Sequence, residues 1–349
     1  MASLSADELT NISRAALDWY IDKGNVMSQT IQEKPLLAAM DKAAKSFPGG
    51  KQNVSLAVKG TYTTSVAGYE ATDTVSYANP ANIHRANYPW KEMHAGLSIT
   101  FTELKNDGIS VTDSAVPGDG TKGHSQRDKT VLVNLLEDKL EDMAEGYARG
   151  MNTFLYSDGT ADAKALAGIQ TIIKDDPTAG TVGGVAATNT WWRSRANLAI
   201  STTSGGTELT DLMHTEIRQL RRYGGKPSIA VAGSAFLDRL ATELRSKGNY
   251  TQTGFSGKQD ISMGEIAYQG IKFQYDPALD DLTVSGKDPD KRCYIIDPSK
   301  MYLCYMQDEK MKQHSPARPH NSYVFYKAIT TTAVLAASQL NCHGVYEIS

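Results

Sequence analysis

Apolar positions recur with a helical period over the longest stretch of this chain. From Ser125 to Tyr156, Leu132, Leu135, Leu136, Leu140, Met143, Tyr147, Met151 and Phe154 return every three to four residues. That spacing predicts one helix of about eight turns, roughly 45 Å long. Ser125 and Asp128 give its start a capping pattern. Its other face carries Glu137, Asp138, Glu141, Asp142 and Glu145, which reads as a solvated face. Before it the pattern is different. Residues 4–22 place Leu9, Ile12, Ala16 and Trp19 at helical spacing, with Ser5 as a cap and Gly24 as a stop. Pro35 to Lys45 predicts a second short helix, ended by Phe47-Pro48-Gly49-Gly50. These first fifty residues are too thin for a core of their own, so an arm lying on another surface is expected.

Between Gln52 and Tyr77 the period falls to two. Val54, Leu56 and Val58 alternate with Ser55, Ala57 and Lys59, and TYTTSVAGYEATDTVSY follows. This predicts a long β-hairpin with a loose turn near Ser65 to Gly68. Its strands hold few large apolar residues, and two strands alone are marginal in water. Such a hairpin needs a neighbour to lie on. Gly96 to Leu104 alternates as a strand, and Thr112 to Gly123 is punctuated as a loop. Further on, Leu209–Tyr223 and Ala235–Lys247 predict helices flanking a buried strand at Ser228–Ala232, hence a mixed sheet covered by helices. Gly270–Tyr275 is a strand with Asp276-Pro277 as its turn. Arg292–Ile296 and Met301–Met306 are strands joined by Asp297-Pro298-Ser299-Lys300. Tyr323–Ala337 and Cys342–Ile348 end the chain rich in strand.

Composition narrows the function. The 349 residues are 40% hydrophobic and 21% charged, with a net charge of −3. That is ordinary globular composition, with length for one large or several small domains. No Lys/Arg run is longer than the pair Arg221-Arg222, so tight nucleic-acid wrapping, which draws on dense phosphate neutralisation, is not expected. Three cysteines, Cys293, Cys304 and Cys342, are too few for a disulfide framework and read as buried hydrophobes. No apolar stretch is long enough to span a membrane, and the start lacks a signal-peptide pattern.

Catalytic motifs are missing from the sequence. It has no GxxxxGK[ST], HExxH or CxxC, and Gly118-Asp119-Gly120-Thr121-Lys122-Gly123, a lone GxGxxG spelling, falls within the loop from Thr112 to Gly123. Gly123-His124-Ser125-Gln126-Arg127 begins like a nucleophile elbow but lacks its closing glycine. His314, His320, Cys342 and His343 match no zinc spacing. Asp175-Asp176 before Pro177 is better suited to ending a helix than to holding a cation. No catalytic, cofactor or metal residue is assigned.

One string carries a likeness. In LAGIQTIIKDDPTAGTVGGVAATNTWW, a helix-forming segment leads into a Gly/Thr-rich loop and paired indoles. The order Gly168, Ile169, Ile172, Ile173, Gly183, Gly184, Thr190, Trp191, Trp192, Arg193 resembles a segment of the major capsid proteins of tailed bacteriophages. The string from Tyr88-Pro89-Trp90 through Gly96 to Leu104 resembles the strand that returns from their extended loop. The resemblance implies an α+β fold of the Hong Kong 97 type. Residues 1–50 would be an N-terminal arm, 51–88 the extended loop, 89–157 a peripheral domain with the long spine helix, 158–315 an axial domain with a central sheet, and 316–349 strands returning to the peripheral domain.

It also implies a protein without enzymatic activity. Copies of this chain would form hexamers and pentamers closing into an icosahedral shell around DNA. Partners would be the chain itself, a separate scaffold protein and portal, a decoration protein in some relatives, and packaged double-stranded DNA held without tight or specific binding. No membrane is involved and no cofactor is needed. Little or no N-terminal cleavage is expected, since helix signals begin by Leu4. Lysine–asparagine crosslinking from Lys51, Lys59 or Lys91 would need partners that cannot be placed. Trp19 of the arm and Lys59, Tyr62, Tyr69 and Tyr77 of the hairpin are the expected inter-subunit contacts, because large rigid aromatics dominate such surfaces. The rival readings are a bacterial encapsulating shell, another virion protein such as a tail component, or an α/β enzyme with an unrecognised site.

Overall fold

The structure is a computed structural model that describes residues 4–5, 33–62, 64, 66–74, 77, 82–106, 111–112, 126–160, 162–202, 208–246, 266–282, 287–314 and 324–349. In chain order the elements are Leu4–Ser5 (β1), Pro35–Lys42 (α1), Lys45–Phe47 (β2), Asn53–Lys59 (β3), Ile83–Pro89 (β4), Lys91–Thr100 (β5), Phe101–Asn106 (α2), Val111–Thr112 (β6) and Gln126–Tyr156 (α3). Then follow Thr181–Val182 (β7), Val185–Ala186 (β8), Arg195–Ile200 (β9), Glu208–Arg221 (α4), Ile229–Ala232 (β10), Ser234–Ser246 (α5), Ile266–Tyr268 (β11), Ile271–Tyr275 (β12) and Pro277–Asp281 (α6). The last strands are Arg292–Ile296 (β13), Met301–Met306 (β14), Lys312–His314 (β15), Val324–Ala337 (β16) and Gly344–Ile348 (β17). They fall into two units. The smaller holds residues 1–33, 92–151 and 308–332, and the larger holds 34–91, 152–307 and 333–349.

In the smaller unit, α3 supplies the main apolar face. Met143, Tyr147 and Met151, four residues apart, are all buried. Tyr147 shares a 2.7 Å hydrogen bond with Thr331 Oγ1 of β16, so its hydroxyl is satisfied where water is excluded. β15 pairs antiparallel with β16, Lys312 opposite Thr330, and β5 pairs with β16 as well. A reciprocal capping box starts α2. Thr100 N–H donates to Glu103 Oε2 (3.0 Å), and Glu103 N–H donates to Thr100 Oγ1 (3.3 Å). That backbone bond, helped by Lys139 at 3.1 Å, holds the Glu103 carboxyl below its ordinary range.

In the larger unit, six strands run in the order β11-β12-β10-β13-β17-β9. β10 is parallel to β12 and antiparallel to β13, and β17 is antiparallel to β13 and parallel to β9, so the sheet is mixed. α4 and α5 cover one face, as the helix–strand–helix pattern predicts. Leu209, Met213, Ile217 and Leu220 form the buried stripe of α4, and Phe236 and Leu240 that of α5, packed with Ile271, Phe273, Ile295 and Tyr346. Glu243 of α5 is buried and accepts from Thr210 N (2.9 Å), satisfying a free donor in the first turn of α4. Elsewhere in this unit β14 pairs with the end of β16 and, in parallel, with β2. α1 brings Leu36, Leu37 and Met40 into the core. Asp276 caps α6 through Ala278 N (3.0 Å) and also accepts from Tyr156 Oη (2.8 Å) and Asn152 Nδ2 (3.1 Å). Burial keeps its carboxyl above the ordinary range despite those donors.

Several expectations change. The two-residue strand β1 pairs parallel with β6, Leu4 opposite Val111, so no helix begins at Leu4; the rest of residues 6–22, Trp19 included, lies outside the described residues. The helix from Pro35 stops at Lys42, because Lys45–Phe47 turns to pair with β14. The strand after Trp90 begins at Lys91 and ends at Thr100, where the capping box converts Phe101–Asn106 into a helix. Segment 166–175 is not a helix beyond a single 3-10 turn at Ile169–Thr171. Gly168 is pressed against the carbonyls of Phe154 and Leu155, within 2.3–2.4 Å of where a Cβ would stand, and this pins the chain before a helix can propagate. β13 and β14 have the expected bounds and lie in different sheets. Asp297 redirects the chain between them, accepting from Ser299 N (2.9 Å) and Lys226 N (2.7 Å). β17 lies in the six-stranded sheet, apart from β16. Among the described residues, no helix is long and apolar enough to cross a membrane.

Candidate assembly interface

The hairpin exists, but its second strand is further along than the alternation of residues 61–77 suggests. β3 pairs antiparallel with β4, Val54 opposite Tyr88, Leu56 opposite Ala86 and Lys59 opposite Ile83. The described residues 70–74 and 77 are therefore not in a strand, and residues 60–82 connect β3 to β4. One face of the pair is apolar: Val54, Val58, Ala86 and Tyr88 are buried, and the residues between them are largely exposed. That face rests on the β7–β8 turn. Asn87 N–H donates to Gly183 O (2.8 Å). Gly183 has φ +60, and a Cβ there would stand 3.1 Å from Ala86 Cβ and 3.2 Å from the Tyr88 ring. Only glycine meets both demands at no cost. Tyr88 Oη donates to Ala337 O (3.0 Å), and burial raises its pKa.

The paired indoles anchor the root of the loop. Trp192 is buried and donates Nε1 to Val182 O (3.0 Å). Trp191 meets it edge-on at 5.7 Å and faces His84 of β4 at 5.4 Å. Gly60, just after β3, lies flat on the Trp191 ring, where a Cβ would fall 2.0 Å from Cδ2. Asn82 Nδ2 donates to Thr61 O and closes the neck of the loop.

Beyond the neck, large side chains face solvent. Tyr62 is 80% exposed, Tyr69 73% and Tyr77 92%; Val66 and Ile83 are exposed too. Lys59 lies 4.9 Å over the Tyr62 ring. The structure thus places four of the five predicted contact residues on this one feature, Lys59 at the end of β3 and the three tyrosines along the loop. Single exposed apolar side chains are normal, and several on one loop make it a candidate contact surface.

Beside the neck is an open cleft of about 970 Å³, within the larger unit. Lys59 and Tyr62 line one wall, and Trp191, Arg195, Arg222 and Tyr223 line the rest. Arg195 is held by Glu216, with Nη2 2.8 Å from Oε1, and this bond keeps the guanidinium charged. Arg222 stacks over Tyr223 at 5.4 Å. Sequence reasoning did not find Arg195, Arg222 or Tyr223. The one signal was the pair Arg221-Arg222, which had been weighed only for nucleic acid.

The residues considered for chemistry have other roles. Asp175 ion-pairs with buried Arg292 (2.9 Å) and with Lys287 (2.8 Å). Burial would raise its pKa, yet these two cations hold it below the usual range. Arg292 Nε also lies 2.6 Å from Glu347 Oε2. Asp176 accepts from Thr178 N (2.9 Å) in a turn. His343 is buried, its Nδ1 accepting from Asp297 N (3.2 Å), and desolvation pushes its pKa down to about 4. His314 contacts Thr330 Oγ1 (2.7 Å). Ser125 and His320 lie outside the described residues. Among the described residues, no group of three or more His, Cys, Asp or Glu could hold a metal ion. Cys293, Cys304 and Cys342 are buried free thiols, as expected. Lys91 Nζ donates to Ala163 O.

No family model matches the sequence, and no curated protein matches it. Solved structures do match the fold. A chain of the cyanophage A-1(L) capsid asymmetric unit superposes with a TM-score of 0.62 at 12% identity, covering 91% of this chain and 93% of that one. The capsid of a native GTA particle gives 0.53 at 14% identity, covering 92% of each chain. The mature capsid of bacteriophage PhiM1 gives 0.54 at 8% identity, covering 88% of this chain and 85% of that one. At such low identity the likeness speaks to architecture. It extends over about nine-tenths of the chain, and the α+β fold described here is that of phage capsid subunits.

Proposed function

We propose that this chain is the major capsid protein of a tailed phage, assembling as hexamers and pentamers into the icosahedral head around double-stranded DNA. One observation carries this beyond the shared fold. The hairpin ends in a loop whose tyrosines find no cover within their own chain, as expected of a part made to lie on another copy. On this reading residues 1–50 are the arm, 51–88 the extended loop, 89–157 the peripheral domain and 158–315 the axial domain, while of 316–349 the start of β16 returns to the peripheral domain and β17 completes the axial sheet. Lys59, Tyr62, Tyr69 and Tyr77, with Trp19 of the arm, are inter-subunit contacts. The role is mechanical rather than enzymatic, and its place is the virion. A separate scaffold protein and a portal are expected partners, and a decoration protein is a further candidate. The net charge of −3 suits an inner wall along which DNA slides rather than one that grips it.

Electron microscopy of the overexpressed chain, alone and with candidate scaffolds, tests this reading. Rings of five and six or closed shells are the expected result. A monomer that stays monomeric under every salt and scaffold condition would overturn it.

A further inference from the structure

The cleft beside the loop neck is cationic. Lys59, Arg193, Arg195 and Arg222 line it, and no Asp or Glu stands among the described residues that do so. Glu216 pairs with Arg195, and Arg193, whose Nε donates to Ala187 O (2.6 Å), is partly offset by the nearby Asp176 carboxylate. The outward charge therefore comes mainly from Lys59 and Arg222, both exposed and each beside a tyrosine ring. The loop that projects from the same neck is its complement. Between Lys59 and Arg85 the sequence has no Lys or Arg, and its only acids are Glu70 and Asp73. A tight turn brings these two together: Asp73 N–H donates to Glu70 O (2.9 Å), and Glu70 N–H to Asp73 Oδ2 (2.9 Å). Tyr69, Glu70 and Asp73 are all exposed, so the loop tip does not occupy its own cleft. Residues 60–62 form part of the cleft wall, and no residue of 66–74 lines it.

We propose that the acidic tip of one copy, residues 66–74, seats in the cationic cleft of a second copy, with Glu70 and Asp73 facing Lys59 and Arg222 and Tyr69 against the ring surfaces of Trp191 and Tyr223. The inference rests on the capsid reading and names the seat that one subunit offers another. A cleft of about 970 Å³ has room for such a turn. Charge opposition between tip and cleft fixes the register and disfavours tip-to-tip and cleft-to-cleft approach. Because every copy carries both parts, the contact is head-to-tail and closes when the rotation between copies closes a ring.

Charge reversal of each side, alone and together, tests the seat. Full-length Glu70→Lys/Asp73→Lys and Lys59→Glu/Arg222→Glu chains are each expected to lose shell yield roughly tenfold by sedimentation. Combining the four changes is expected to restore it. All sites are exposed, so circular dichroism should show unchanged folding. Unaffected yields, or no recovery in the combination, would overturn the seat. As a second readout independent of those variants, Thr72→Cys and Gln219→Cys chains are mixed, assembled and oxidised. A dimer band in the mixture but in neither alone supports the seat, and shells without that band overturn it. If cleft reversal lowers binding of added double-stranded DNA while tip reversal leaves assembly untouched, the cleft serves phosphate and the inference falls. Normal shells from every variant would sink only this inference, whereas no shells from the unaltered chain would sink the capsid reading and the seat with it.

Discussion

The six-stranded sheet and the hairpin belong to the same unit yet keep their shape by different means. The sheet is covered by α4 and α5, and its polar intruders are individually matched: Glu243 with the Thr210 amide, Arg292 with Asp175, Asp297 with the Lys226 amide. It carries within itself what it needs to be stable. The hairpin is held at its root, where Tyr88 meets Gly183 and where Gly60 meets Trp191. Past that neck its side chains face solvent. Removing a side chain from the sheet should act on the single chain. Removing one from the loop should act only when copies meet.

The largest expected effect is in the sheet. Phe236→Ala removes a fully buried ring between α5 and the strands, and should cost the isolated subunit about 3–5 kcal/mol in urea denaturation. A loss under about 1 kcal/mol would mean the helix layer is not what holds the sheet. Acid should weaken the same region. His343 has a folded pKa of about 4 against an unfolded 6.5, so the unfolded chain binds the extra proton between those values. Stability contributed by the neutral ring is complete above pH 6.5 and falls as pH drops towards 4, by roughly 3 kcal/mol in all. His343→Gln should flatten that part of the pH–stability curve, and an unchanged slope would place the titration elsewhere. Asp175→Ala leaves Arg292 in the interior with Glu347 alone. The expected cost is roughly 2 kcal/mol, below that of a fully buried pair because Asp175 is partly solvated.

At the neck the effect should be smaller and local. Gly60→Ala drives a methyl into the Trp191 ring, so the hairpin root must shift, at roughly 1–2 kcal/mol. Tryptophan fluorescence should change while the amplitude of the main unfolding transition does not. The smallest effect on the single chain is expected at the tip. Tyr69→Ala should alter subunit stability by less than about 0.5 kcal/mol yet reduce shell yield. A stability loss equal to that at Phe236 would erase the distinction between the two regions.

Much of the sheet was legible because its helices are amphipathic and long. α3, α4 and α5 stand within a residue or two of the expected bounds, since their apolar stripes needed only one face to bury. The hairpin was half legible. β3 alternates visibly, but β4 reads Ile-His-Arg-Ala-Asn-Tyr-Pro, and its inward residues are only Ala86 and Tyr88. The seat for that small pair is Gly183, nearly a hundred residues on, which no local period announces. The run Glu70 to Tyr77 has better strand composition, but its described residues 70–74 and 77 are exposed, and composition without a surface does not make a strand. The β13–β14 connection was legible as a turn, but not the sheets it joins. Asp297-Pro298-Ser299-Lys300 has turn chemistry, but the Lys226 amide and the His343 ring decide where the turn leads. Tyr62, Tyr69 and Tyr77 could be singled out because a polar hairpin must meet something. Arg195, Arg222 and Tyr223 could not, since the cleft exists only once three distant segments converge.

The three interior thiols offer a way to watch each sheet open. Cys293 and Cys342 lie on or beside the six-stranded sheet and Cys304 on β14, and burial raises the pKa of all three, Cys304 and Cys342 to about 12. As neutral, enclosed sulfurs they are inert to alkylation while the sheets stay shut. Labelling by iodoacetamide, followed peptide by peptide, would then act as a pair of clocks inside the folded chain, each timing the breathing of its own sheet.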